Sequence, residues 1–194
     1  MATKGECAMF TRGTICVFTL AWLLLATISL SPVLQAAGTP EGDSKEVSDL
    51  LAQAKGQAGE LKLDAADMET FTRTNVSWES NAAKITAIKD HVNKVADTVA
   101  KLNQLRDTAS PWQKTAIDHV NPLLQELASN TTAIIDHLNK EKGGRLNTPE
   151  HKEYLKSNAE LAANLSSTIA DFVDYGKTKA KFDKEARELE VSER

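Results

Sequence analysis

The stretch at residues 84–105 reads "KITAIKDHVNKVADTVAKLNQL". Its apolar residues Ile85, Ile88, Val92, Val95, Val99 and Leu102 follow one another at steps of 3, 4, 3, 4 and 3, the alternation that keeps a single apolar seam on one face of a packed helix. A helix from about Glu79 to Asp107 follows from it. The same alternation continues in Ile117, Val120, Leu124, Leu127, Thr131, Ile134 and Leu138, after "SPWQ" at 110–113 supplies Ser110 as cap, Pro111 at the first helical position and Gln113 to close a capping box. Glycines at 143–144 end that helix. Pro122 interrupts its polar side and removes the bond to the carbonyl of Asp118, so a bend is expected there.

Working outward, "NTPE" opens a further helix with Thr148 as cap and Pro149 at its first position, and its seam reads Tyr154, Leu161, Leu165, Ile169, Phe172 and, further on, Phe182. From Gly176 that helix is densely charged, and residues 177–194 are expected to project or fray as a charged helical tail. Toward the N-terminus, Asp43 with Glu46 makes a capping box for "EVSDLLAQAKGQAGELKL". Gly56 and Gly59 weaken this helix by about 1 kcal/mol each relative to Ala, and a break is expected near Asp64. No alternating strand pattern of useful length occurs. The expected fold class is all-α, an antiparallel up-and-down four-helix bundle over 44–176, following an N-terminal signal peptide and a flexible leader over 38–43.

The signal reading rests on residues 1–37. Lys4 and Arg12 precede an apolar run from Ile15 to Leu30, and small residues follow at Ala36, Ala37 and Gly38. The run is 16 residues long where a membrane-spanning helix needs about 20, which favours cleavage over an uncleaved anchor. Both cysteines, Cys7 and Cys16, fall within this segment, so the exported remainder holds no disulfide, thiolate nucleophile or cysteine-ligated metal. An exported, periplasmic or extracellular location is expected, with no stable membrane span once the signal is removed. Of 23 basic and 27 acidic residues, two and one lie in residues 1–37; the remaining 157 residues carry a formal charge of −5. Nucleic acid is a poor partner for such a chain.

Three of the four histidines share one setting: "DHVN" at 90–93 and 118–121, and "DHLN" at 136–139. Set on the seams, Val92, Val120 and Leu138 are the buried members, and the Asp-His pairs fall on or beside the solvent face. The middle copy lacks one residue after its Ile, which turns its Asp-His pair by roughly 100°. In an antiparallel hairpin with Trp78 level with Leu138, His119 and His137 lie about eighteen residues, or ~27 Å, apart. Nitrogen ligands of one metal lie near 2 Å from it, so the three cannot converge. Asp90–Lys94 and Asp136–Lys140 are expected as helical pairs. One smaller metal site is compatible with the geometry: His137 and His151, brought together by the turn at 143–144, with Asp136, Glu141 or Glu150 as carboxylate ligands for zinc, copper or nickel.

No glutamate stands three residues before any histidine, so the di-iron bundle pattern is absent, as are His-Glu-x-x-His and phosphate-binding glycine loops. No enzyme activity and no cofactor are expected. Trp78 and Trp112 should plug opposite ends of the bundle, Trp78 near Tyr154 and Phe71, Trp112 near Phe172 and Tyr175. Asn75, Asn130 and Asn164 fit the glycosylation pattern.

The segments "WQKTAIDHVNPLLQEL" at 112–127 and "DFVDYGKTKAKF" at 171–182 resemble a set of uncharacterised exported helical proteins of bacteria. The resemblance covers the second half of the chain and implies an exported helical product without a catalytic motif. Two function classes follow. One is a non-enzymatic interaction or scaffolding bundle whose partner is another envelope protein, met first by the stretch from Lys177 to Glu190; the other is a sensor-like bundle holding a ligand or metal. The same seams can close within one chain or between two copies, which leaves a homo-oligomer open.

Overall fold

The computed structural model describes residues 42–142 and 146–192; the signal and most of the leader, the 143–144 turn and the last two residues fall outside them. Four α-helices follow in order: α1 Lys45–Glu69, α2 Trp78–Gln104, α3 Pro111–Lys140 and α4 Pro149–Ser192, with single 3₁₀ turns after α1 and α2. No strand occurs among the described residues.

Contacts at the helix ends set the directions. Gln113, in the first turn of α3, bonds to Ser44 at the start of α1. Trp78, the first residue of α2, donates its indole N–H to the carbonyl of Leu138 near the end of α3 at 2.8 Å. His151, in the first turn of α4, meets Asn81, in the first turn of α2. Thus α1 and α3 start at one end and α2 and α4 at the other, the up-and-down order, with α1 and α3 each packed between α2 and α4.

The seams of α2 and α3 are those of the sequence: Ile85, Ile88, Val92, Val95, Val99 and Leu102 on α2 and Ile117 through Leu138 on α3 are buried. Helix α1 does not break at Asp64. Its core face is Val47, Leu51, Ala54, Ala58, Leu61, Ala65 and Met68, a 4-3 alternation in which alanine fills three of the five places after Leu51. Asp64 lies on the flank of that face and is held by Lys84 and His91 of α2, which secures the helix where a break was expected. Gly56 and Gly59 face open space.

Two further expectations are corrected. Ser44, not Asp43, caps α1, its Oγ accepting from the Val47 N–H; Asp43 instead accepts the Trp112 indole N–H at 2.7 Å and faces Lys179, so the end of the expected leader is tied down. On α4 the buried line is His151, Leu155, Asn158, Ala162, Leu165, Ile169 and Val173. Tyr154, Leu161 and Phe172 flank it, and Phe182 is 70 % exposed. The expected seam tracked the largest side chains, whereas the helix turns two polar residues inward. Asn158 donates to Thr131 Oγ1 of α3 at 3.0 Å, which makes a polar residue tolerable there.

The start signals of α3 and α4 hold. Gln113 Oε1 accepts from the Ser110 N–H at 3.0 Å, and Thr148 Oγ1 accepts from His151 N–H at 3.2 Å. Gln113 does more than close its own box: Oε1 also accepts from Ser44 N–H, while Nε2 donates to the Ser44 carbonyl at 2.8 Å and to Ser48 Oγ at 3.0 Å. A fully buried amide is thereby saturated and locks two diagonal helix starts together. Helix α3 runs unbroken through the exposed Pro122. Helix α4 is 44 residues long, ~66 Å, against 25 residues or ~38 Å for α1, and it passes through Gly176 and Lys177 without a break. No helix among the described residues is long and apolar enough to cross a membrane.

Candidate functional site

The histidines separate as their registers require, and each takes a different environment. His91 is half-buried against α1, with Nδ1 2.9 Å from Asp64 and Nε2 3.8 Å from Glu60. His119 is exposed, its Nδ1 2.8 Å from the Thr115 carbonyl and its ring 5.7 Å from that of Phe172. Val92, Val120 and Leu138 are buried beside them as the seam placement requires. Asp90–Lys94 and Asp136–Lys140 do not close as ion pairs. Asp118 of the middle copy instead takes a two-pronged contact from Arg106, at 2.8 and 2.7 Å.

His137 and His151 do come together. Their rings stack with centroids 5.3 Å apart and 18° between planes, and Tyr154 leans on His137 at 5.6 Å. His151 is 4 % exposed. Asn81 Nδ2 donates to the Ser77 carbonyl at 3.0 Å, which turns Asn81 Oδ1 toward His151 Nε2, 3.2 Å away. The proton of a neutral His151 therefore sits on Nε2, and Nδ1 is left as a bare lone pair. His151 Nδ1 and His137 Nε2 are both buried without a hydrogen-bond partner.

Burial first, and then the neighbouring His137, push His151 down to about 4. Its place in the first turn of α4 acts in the same direction, because the positive end of a helix disfavours a cation. Near neutral pH this imidazole is uncharged.

The carboxylates do not gather around the pair. Glu150 accepts from the Tyr154 hydroxyl at 3.4 Å, Asp136 is exposed, and Glu141 caps the end of α3. No set of three His, Cys, Asp or Glu side chains among the described residues is placed to hold a metal ion. Two nitrogens on adjacent helices are thus what the site offers, short of the four-ligand shell of a structural zinc. What the sequence did not signal was Asn81, the polar residue on α2 that fixes the His151 tautomer; its cue was an asparagine one helical step before Ile85, on the seam's own line.

The opposite end is aromatic. Trp112 meets Tyr175 edge-on at 5.5 Å, as expected, while its indole lies so close over Gly176 that a Cβ there would stand 2.6 Å from the ring. Trp78, at the histidine end, is half-buried and carries Lys142 5.5 Å over its ring. The chain matches no family model, no curated protein and no solved structure.

Proposed function

We propose that this protein is a non-enzymatic, exported helical bundle of the cell envelope that acts through its helical surfaces as an interaction or scaffolding protein. The observation that carries this reading is the far part of α4. After Val173 no described residue of α4 is buried, yet the helix continues to Ser192 and presents Phe182, Leu189 and Val191, all more than two-thirds exposed. A helix that extends past its own bundle with apolar side chains outward is suited to a partner. Support for export comes from the basic and apolar start of the chain and from the resemblance of 112–127 and 171–182 to exported helical proteins of bacteria. The test is affinity capture from the host's own envelope fraction, using the protein with and without residues 177–194. The deletion is expected to remove a captured partner while the bundle stays folded; capture that is unchanged refutes the reading.

A second reading, a ligand- or metal-binding sensor-like bundle, is favoured by one observation: the two unpartnered ring nitrogens of His137 and His151. Soft or borderline metals accept imidazole nitrogen. Elemental analysis of protein taken from its own host, beside the His137→Ala and His151→Ala variants, decides it. Stoichiometric metal lost in both variants supports this reading, and metal-free protein removes it.

A further inference from the structure

The outer third of α4 carries a sorted surface. Tyr175, Phe182 and Leu189 stand seven residues apart and are 52, 70 and 68 % exposed, so they form one line along the helix; Tyr175 also touches Trp112 and joins the line to the bundle. Lys179 and Ala186 fill the alternate places of the same stripe, completing a 4-3 seam from 175 to 189. The positions that border such a seam are occupied by Asp183, Glu185 and Glu190, with Gly176 and Thr178 nearer the bundle. Lys177, Lys184 and Arg187 lie on the far side.

Charge therefore selects what can cover the stripe. A second copy packed in parallel would set Glu185 against Glu190, and an antiparallel copy would set Asp183 against Glu190 and Glu185 against itself, so self-pairing is opposed in both directions. Asp183 and Glu185 already reach Lys179 and Lys181 one turn back, at 2.6 and 3.8 Å, but these are surface i,i+4 pairs, the first half-buried and the second exposed, that leave carboxylate oxygens for a partner's cations. An anionic lipid surface is opposed by the same acids, since interfacial helices border their apolar face with Lys and Arg.

We propose that this segment docks a partner helix whose apolar stripe is bordered by lysine or arginine. The inference rests on the interaction reading above and narrows it to the chemistry of the partner.

The experiment uses two synthetic three-heptad helices with leucine along the seam, one with lysine and one with glutamate at every bordering position, titrated against the purified protein by fluorescence anisotropy. The lysine peptide is expected to bind roughly tenfold more tightly than the glutamate peptide, a ratio that three exposed ion pairs can supply. Phe182→Ser should abolish that binding, and the combined Asp183→Lys, Glu185→Lys, Glu190→Lys variant should reverse the preference. Phe182, Glu185 and Glu190 are exposed and Asp183 is half-buried on the helix surface, and circular dichroism checks that each variant retains its helices. Equal binding of both peptides, binding of neither, a preference that survives the triple reversal, or Phe182-dependent binding to anionic vesicles overturns the proposal. If the deletion of 177–194 still removes the envelope partner while the peptides are not distinguished, the partner chemistry falls and the interaction reading stands; if the deletion leaves capture unchanged, the reading itself falls.

Discussion

Single residues in this bundle have consequences out of proportion to their size, because several polar groups are buried and the partners each has, or lacks, decide what its burial costs. His151 is the sharpest case. Its ring is held at about 4 in the fold against an ordinary value of 6.5, so well above pH 6.5 the imidazole is neutral in both the folded and the unfolded chain and its contribution to stability is fully present. As pH falls from 6.5 to about 4 the unfolded chain takes up a proton that the folded chain refuses, and about 3 kcal/mol of stability is lost across that window. Urea unfolding of the protein and of His151→Gln, which keeps a donor for Asn81 but cannot titrate, measures this: the variant should lose much less stability between pH 6.5 and 4. Gln113 is the second case. Gln113→Leu strands the N–H groups of Ser44 and Ser110, and the unfolding free energy should drop by about 3 kcal/mol. Of these residues the sequence disclosed Gln113's own capping box and the meeting of His137 with His151. It did not disclose that Gln113 also holds Ser44, or that His151 and Asn158 face the core, because a polar residue reads as exposed until its partner on another helix is known.

At the scale of the helix, what was legible depended on which side chains fill the seam. Helices α2 and α3 use branched residues and leucine, whose spacing stands out, and their starts and seams match the sequence reading closely. Helix α1 fills Ala54, Ala58 and Ala65 into the same spacing, a pattern that resembles no apolar face until neighbouring helices close on it. Its glycines drew attention as weak points, yet Gly56 and Gly59 face open space. Gly56→Ala and Gly59→Ala should therefore each raise stability by about 0.5–1 kcal/mol, whereas Ala58→Leu, inserted into the packed face, should lower it by about 1–3 kcal/mol; thermal unfolding of the three variants checks both directions. Gly176 behaves in the opposite sense to the other two. A methyl group there meets the Trp112 ring, so Gly176→Ala should shift the tryptophan fluorescence and near-ultraviolet circular dichroism by displacing the indole from Asp43.

At the scale of the whole molecule, the described helices divide into a part that closes its own core and a part that does not. Residues 44–173 contain all the described buried apolar side chains and the polar locks at both ends, while α4 beyond Val173 adds exposed surface and a few contacts back to the bundle, Asp174 with Lys55, Tyr175 with Trp112 and Lys179 with Asp43. The architecture was legible because the two strongest seams and two capping signals lie on successive helices joined by short turns. For the end of α4 the sequence left projection and fraying both open, since its charge pattern suits either, and the continuous helix to Ser192 is supported by close-spaced pairs such as Lys179–Asp183. The most direct measurement is the comparison of the full chain with one ending at Gly176, unfolded by heat and then used for capture from the host envelope. The expected result is a closely similar unfolding midpoint and the loss of a partner that the full chain retains. A truncated chain that unfolds far earlier, or that captures the same partner, would contradict it.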